Sequence, residues 1–226
     1  MKKKIFDDQL IIVTGALGFI GSGKGTVGDI LTERGFTSIS FASTLKDVTA
    51  SLFGWERVLL EGDTEFSRQF REKPDSFWSQ EFGKEFTPRL ALQLMGTEVG
   101  RNVFHPDFWV IKTKQQMHTL MSMGVENFVI TDVRFKNELK FIQKNNGVVV
   151  RVKRGPEPEW YEDAIMVNKG DRYIGWALAK DRLKRKGIHV SETDWVGSKF
   201  DYTIENDGTL EDLGKKVDGL LQFIKQ

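Results

Sequence analysis

The residues Gly18-Phe19-Ile20-Gly21-Ser22-Gly23-Lys24-Gly25-Thr26 carry the densest chemistry in the chain. They follow the apolar run Leu10-Ile11-Ile12-Val13. They lead into a segment whose pattern predicts a helix from Thr26 to Arg34, closed by Gly35. Strand, glycine-rich loop, Lys-Gly-Thr and helix is the order that cradles nucleotide phosphates. Gly21 and Gly23 let successive backbone N–H groups turn inward as an anion-binding nest. The helix start adds unpaired N–H groups and the positive end of its dipole. Lys24 adds a full charge for the β- and γ-phosphates. In the commoner form of this loop a hydroxyl directly after the lysine touches Mg²⁺. Here Gly25 holds that place and Thr26 follows.

A second pattern overlaps the first. Thr14-Gly15-Ala16-Leu17-Gly18-Phe19-Ile20-Gly21 fits T-G-x-x-G-x-x-G and resembles the NAD(P) loop of epimerases and short-chain dehydrogenases. Both loops set phosphate on a helix N-terminus, so glycines alone do not separate them. That chemistry needs a Tyr-x-x-x-Lys pair. The residues four after Tyr161, Tyr173 and Tyr202 are Ile165, Ala177 and Asn206. The expected second strand, Ser38-Ile39-Ser40-Phe41, also lacks the acid that would take a ribose 2′-hydroxyl. The dehydrogenase becomes the weaker alternative, beside a P-loop protein that holds nucleotide without transferring phosphate.

The chain has 226 residues, enough for one good core with a small appended lobe. Lys+Arg is 33 and Asp+Glu is 32, a formal charge of +1, so nothing global favours nucleic acid or membrane. Without cysteine there is no disulfide, thiolate metal site or cysteine nucleophile. His105, His118 and His189 have no metal-ligand spacing. No apolar run approaches the ~20 residues of a membrane span, and the basic start runs into Asp7-Asp8. These features suggest a cytoplasmic protein without nucleic-acid or membrane partners.

Strands and helices alternate. Expected strands are Leu10–Val13, Ser38–Phe41, Phe128–Ile130, Val148–Val150 and Tyr202–Ile204. Expected helices run from Ser43 to Phe53, from Thr87-Pro88 onward, from Pro106-Asp107 to near Gly124, from Phe135 to Asn145, and after Thr209. The stretch from Trp55 to Gly83 has little periodicity. The stretch from Gly155 to Trp195 is charged and shows no strand pattern. This alternation predicts an α/β fold with a parallel sheet covered on both faces.

Ligands of such sheets sit beyond the carboxyl ends of the strands. That puts Asp132 and Arg134, just after Phe128–Ile130, at the edge that carries the glycine loop. An acid there can hold Mg²⁺ through water, and an arginine can grip phosphate with two N–H groups. Arg89, Gln93 and Thr97 stand four apart along the Thr87 helix, with Gly96 and Arg101 beside them. Trp109 could stack on a base, or fill the core. Arg68 and Arg71 in the irregular stretch, and Arg172, Arg182 and Arg185 in the late one, could supply cations to a transferred phosphoryl group.

Taken together, the chain resembles the bacteriophage deoxynucleoside monophosphate kinases, P-loop kinases related to adenylate and guanylate kinases. The resemblance runs through Gly21-Ser22-Gly23-Lys24-Gly25-Thr26, Phe41-Ala42-Ser43-Thr44-Leu45-Lys46 and Leu52-Phe53-Gly54-Trp55. It continues in Ser67-Arg68-Gln69-Phe70-Arg71-Glu72, Leu92-Gln93-Leu94-Met95-Gly96-Thr97 and Asp132-Val133-Arg134-Phe135-Lys136-Asn137-Glu138. His189-Val190-Ser191-Glu192 and Tyr202-Thr203-Ile204-Glu205-Asn206-Asp207-Gly208-Thr209 complete it. It implies a three-layer P-loop kinase fold over residues 1–226, with monophosphate-binding helices at 43–125 and a lid at 155–195. It implies transfer of the ATP γ-phosphate to a 2′-deoxynucleoside 5′-monophosphate with Mg²⁺, by a homodimer in the infected host cytoplasm.

Residue by residue, the resemblance implies that Gly21, Ser22, Gly23, Lys24, Gly25 and Thr26 hold ATP. Lys46, Arg68, Arg71, Arg89, Gln93, Gly96, Thr97 and Trp109 shape the monophosphate pocket. Asp132, Arg134 and Glu138 sit with Lys24 at the reaction centre, and Thr26 and Asp132 face the metal, through water. In the lid, Arg172, Arg182 or Arg185 reaches the ATP phosphates. The resemblance also favours dGMP and dTMP over dAMP.

Overall fold

The computed structural model describes residues 4–6, 9–10, 12–170 and 174–225. The elements begin with a short antiparallel pair, β1 (Lys4–Phe6) and β2 (Gln9–Leu10). The main sheet has five strands: β3 (Ile12–Leu17), β4 (Thr37–Ile39), β5 (Asn127–Ile130), β6 (Val148–Lys153) and β7 (Tyr202–Glu205). They are all parallel and lie in the order β4-β5-β3-β6-β7. The chain forms two compact units, 1–39 with 123–226, and 40–122. The sheet belongs wholly to the first.

β3 lies at the centre. Its connection runs through α1 (Lys24–Glu33) to β4, past β5. The connection from β5 runs through α7 (Lys136–Lys144) to β6, on the other side of β3. The chain therefore leaves β3 and β5 in opposite directions, which opens a crevice beyond their carboxyl ends. Gly15 pairs with Ile130 in register, so the loops after these two strands start side by side.

Helices cover both faces. α1 and α11 (Leu210–Ile224) bury Val27, Leu31, Leu213, Val217 and Leu220 against Ala16, Val129, Val150 and Ile204. α7 packs Leu139 and Ile142 on the other face. This is the α/β fold expected from the alternation, a parallel sheet flanked by helices. The first strand runs four residues further than Leu10–Val13 suggested. Gly15 and Ala16 read locally as loop, but Gly15 is in the strand because it makes room: a Cβ there would lie 2.3 Å from Ile142 Cδ1. Thr14-Gly15 therefore forms no dinucleotide turn, and the dehydrogenase alternative loses its loop.

Among the described residues between Gly155 and Trp195 the elements are all helices: α8 (Tyr161–Lys169), α9 (Ile174–Arg185) and α10 (Val190–Thr193). Asn168 ties this segment together by donating from Nδ2 to Thr193 O at 2.7 Å and Val196 O at 2.8 Å. Asn146, at φ 54°, takes the left-handed place after α7.

The second unit is helical: α2 (Ser43–Phe53), a 3₁₀ turn (Arg57–Leu60), α3 (Glu65–Glu72), α4 (Ser76–Phe82), α5 (Pro88–Gln93), a π-helix (Leu94–Phe104) and α6 (Phe108–Ser122). Gly54 ends α2 at φ 73°, and Thr87 caps α5 by accepting the Leu90 N–H, with Pro88 at the first position. The stretch 55–83 forms helices too short to show a period. Aromatic packing holds them: Phe53 stacks on Trp55 at 4.8 Å and meets Trp78 edge-on at 5.2 Å. The Trp78 indole donates to Phe53 O at 3.1 Å.

Candidate active site

The glycine loop is built by close approach and by left-handed backbone. Gly18 lies so near β6 that a Cβ would come 2.3 Å from Val152 O and 2.5 Å from Ser22 Oγ. Gly21 and Gly23 have φ of 79° and 93°, a region open to glycine and strained for other residues. Asn206, just after β7, donates from Nδ2 to Ser22 O at 2.9 Å and passes 2.3 Å from where a Gly23 Cβ would stand. No side chain caps α1 at Gly23, so the first N–H groups of the helix face the loop. Gly25 has a negative φ and open space around it. The fold thus demands glycine at 18, 21 and 23 but leaves position 25 to chemistry.

Lys24 Nζ donates to Phe19 O at 3.3 Å. Burial lowers its pKa from 10.5 to about 8. The nearby Arg134 charge pushes the same way, and Asp132 and Glu192 partly offset it. Lys24, Asp132 and Arg134 therefore share one electrostatic environment at the carboxyl ends of β3 and β5.

Glu138 is 1% exposed, and its Oε2 accepts the N–H groups of Arg134 at 2.7 Å and Phe135 at 3.0 Å. The family resemblance implies that Glu138 stands at the reaction centre or the substrate. Here that oxygen closes the start of α7, where Phe135 has no side-chain acceptor to offer. Asp194 completes the closure by taking the Lys136 N–H at 2.7 Å. The two acids fix the backbone that carries Arg134.

A solvent-open cleft of about 270 Å³ lies along this edge. Gly18, Phe19, Lys24 and Arg134 line one part of it, and Ser191, Glu192 and Trp195 the other. Arg182 and Arg185 are not among its lining residues. Arg182 donates from Nε to Asp163 Oδ2 at 2.9 Å, bridging α9 to α8, and Arg185 pairs with Asp181 one turn back. Arg172 lies outside the described residues.

Thr26 and Asp132 provide one hydroxyl and one carboxylate. Among the described residues no group of three or more His, Cys, Asp or Glu could cage a metal. This sparse oxygen set suits Mg²⁺, which keeps most of its waters and binds through one or two protein oxygens plus phosphates.

The expected monophosphate residues all lie in the second unit. Lys46 Nζ and Arg57 both reach the carboxylate of Glu61. Burial would raise the Glu61 pKa, but the hydrogen bonds and charges of Lys46 and Arg57 hold it below its ordinary value. Arg71 donates to Glu61 O at 3.2 Å, and Arg68 to Asp63 O at 3.0 Å. Lys46, Arg57, Arg68 and Arg71 thus gather around residues 61–63. Arg89 pairs with Glu72.

The α5 helix gives way to the π-helix at Leu94, so Gln93 and Thr97 stand on different helix types. Gly96 O accepts from Arg101 at 2.7 Å and from the Trp109 indole at 2.8 Å. Trp109 is 5% exposed and lies against Gly100. At that exposure the ring is packed as core, and its N–H is satisfied within the fold.

The residues that sequence analysis left without a role are Glu61, Arg57, Ser191, Glu192, Asp194, Trp195 and Asn206. Two of the pieces that carry the family resemblance contain Ser191 with Glu192, and Asn206, but only tertiary contact shows what they touch.

A family model described as deoxynucleotide monophosphate kinase matches residues 61–173. A protein of Acanthamoeba polyphaga mimivirus assigned as a deoxynucleotide monophosphate kinase is 31% identical over 153 residues, covering 64% of this chain and 75% of its own. The chain belongs to the deoxynucleotide monophosphate kinase family. The chain is also 40% identical over 116 residues to the deoxynucleoside-5′-monophosphate kinase of Escherichia phage T5, covering 51% of this chain and 40% of the phage protein. Among solved structures, dephospho-CoA kinase from Campylobacter jejuni aligns over 94% of this chain and 96% of its own, at 19% identity and a TM-score of 0.44. As a member of this family the chain is a phosphotransferase that phosphorylates deoxynucleoside monophosphates. Among its described residues no helix is long and apolar enough to cross a membrane.

Proposed function

We propose that the phosphoryl donor is ATP with Mg²⁺, and that transfer takes place at the Lys24–Asp132–Arg134 edge. The observation that carries this reading is the convergence of those three side chains behind a glycine loop, at the point where the chain leaves β3 and β5 in opposite directions. An ionised oxygen of the monophosphate forms the new bond to the γ-phosphorus. The bond from that phosphorus to the β–γ bridging oxygen breaks, and ADP departs with the electron pair. The attacking oxygen is already charged at neutral pH, so no general base is needed. Positioning and charge neutralisation lower the barrier.

In this reading Gly21 to Thr26 wrap the ATP phosphates and Lys24 neutralises charge on the transferred group. Arg134 grips it with two N–H groups. Mg²⁺, held by Thr26 and through water by Asp132, would draw charge from the phosphate oxygens. Glu138 is a positioning residue. The monophosphate is held by the second unit, with Lys46, Arg68, Arg71, Arg89, Gln93, Gly96 and Thr97 as its pocket. The segment 155–195 acts as a lid that brings Arg172, Arg182 or Arg185 to the phosphates. The enzyme works as a homodimer in an infected host cytoplasm, and prefers dGMP and dTMP to dAMP.

A coupled assay of ADP release across the deoxynucleoside monophosphates tests this. The wild type turns over at least one of them with ATP and Mg²⁺. Lys24→Ala folds and loses nearly all turnover. A folded Lys24→Ala protein with wild-type rates would refute the assignment of the site.

A further inference from the structure

Phe19 belongs to the glycine loop by its backbone and to the helical segment by its ring. Its carbonyl accepts from the Ser22 N–H at 3.1 Å and from Lys24 Nζ at 3.3 Å. Its ring lies 4.8 Å from Trp195, meets Trp160 edge-on at 5.2 Å and Tyr161 at 6.0 Å. These rings are fixed in turn. Trp195 is 2% exposed. The Arg151 guanidinium lies over Tyr161 at 5.4 Å and Trp195 at 5.6 Å, and Glu157 holds its NH2 with both oxygens at 2.6 and 2.7 Å.

The neighbouring loop position contrasts with this. Ile20 is 61% exposed and has no such anchor. A loop residue with a free ring would leave its carbonyl free to swing. Here Trp160 and Tyr161 at the start of α8 and Trp195 after α10 bear on the one ring, and Arg151 of β6 lies over two of these three. The carbonyl that takes the Lys24 ammonium is therefore placed by aromatic packing outside the loop.

We propose that Phe19 is a positioning residue for Lys24, and that the Phe19–Trp195 contact sets the lysine ammonium in the phosphate loop. The inference rests on the reading of Lys24 as the phosphate-holding cation.

The test compares Phe19→Leu, Trp195→Leu, Trp195→Phe and the Phe19→Leu/Trp195→Leu double variant in steady-state kinetics. Phe19→Leu and Trp195→Leu each raise KM for the triphosphate about tenfold, with KM for the monophosphate unchanged. The double variant is no worse than either single one, since both remove the same contact. Trp195→Phe, which keeps a ring, restores most of the wild-type behaviour.

Lower melting temperature with triphosphate KM unchanged would overturn the proposal, and so would additive losses in the double variant. If Phe19→Leu does not fold, the Trp195→Leu and Trp195→Phe pair decides by the same ratio of triphosphate KM to monophosphate KM. Lys24→Ala separates the two levels. Lost turnover in that variant alongside an unaffected Phe19→Leu defeats the inference alone, whereas wild-type turnover in it defeats the underlying reading.

Discussion

Asn206 donates from Nδ2 to the carbonyl of Ser22 at 2.9 Å across 184 residues of sequence. The bond joins the turn after the last strand to the middle of the phosphate loop. It also occupies the space beside Gly23, where a Cβ would sit 2.3 Å from the amide nitrogen.

Gly23→Ala meets both obstacles at once. The left-handed backbone at φ 93° costs about 1–2 kcal/mol for a residue with a Cβ, and Asn206 must move. The expected outcome is a folded protein whose KM for the triphosphate rises at least about tenfold. Asn206→Ala keeps the glycine and loses only the bond, so its effect is smaller and in the same direction. Kinetics with both variants, beside circular dichroism to confirm folding, check the order.

Lys24 makes donor binding depend on pH. Its pKa in the fold is about 8, and bound phosphate favours the charged form and raises it. Triphosphate affinity is therefore full below pH 8. It falls as pH rises through that value, by at most about tenfold per unit. Fold stability moves the other way. Burial penalises the charged lysine below pH 8, and the penalty fades as pH rises from about 8 to 10.5. Titration calorimetry near pH 8.5, in buffers of different ionisation enthalpy, should record proton uptake on binding. No uptake would contradict the placement of Lys24.

Glu138 and Asp194 close the start of α7 from two sides. Glu138→Ala leaves two buried N–H groups without their acceptor and should cost about 1–3 kcal/mol of stability. Denaturant unfolding measures the loss. Asp194→Ala removes one bond at the same helix start, costs about 1 kcal/mol, and lowers kcat by loosening Arg134. A stable Asp194→Ala enzyme with unchanged kcat would show that Arg134 does not depend on that closure.

Arg182 is held by Asp163. If it serves the phosphates when the segment closes, Arg182→Ala/Arg185→Ala lowers kcat by about tenfold or more, with KM for the monophosphate kept. Trypsin digestion gives a second reading. ATP with a deoxynucleoside monophosphate should protect the segment 155–195, and equal cleavage with and without both ligands would rule out closure.

Much of the frame was legible because its signals are local. Gly54 after α2, Thr87-Pro88 before α5 and the Thr209–Asp212 box before α11 all stand where the residue types put them. The glycine loop was legible for the same reason, since its work is done by neighbouring backbone groups. Other features depend on distant partners. Gly15 looks like the start of a loop until Ile142 packs against it. Trp109 looks available until Gly96 and Gly100 enclose it. Asp194 is an ordinary surface acid in sequence, and becomes a helix cap only when the fold brings it 58 residues back to Lys136. Helices 65–72 and 76–82 are too short for a period to emerge, and their cohesion comes from rings on other segments.

The π-helix from Leu94 to Phe104 has a consequence for chain length. Hydrogen bonds from i to i+5 put one more residue into each turn than an α-helix holds. Loss of one residue from α6 would turn everything beyond it by about 100°. Loss of one residue from the π-helix can instead tighten a turn to α and leave Pro88 and Phe108 in phase. The stretch between Gln93 and His105 is thus the place in the second unit where the gene can lose a codon and the protein keep its fold.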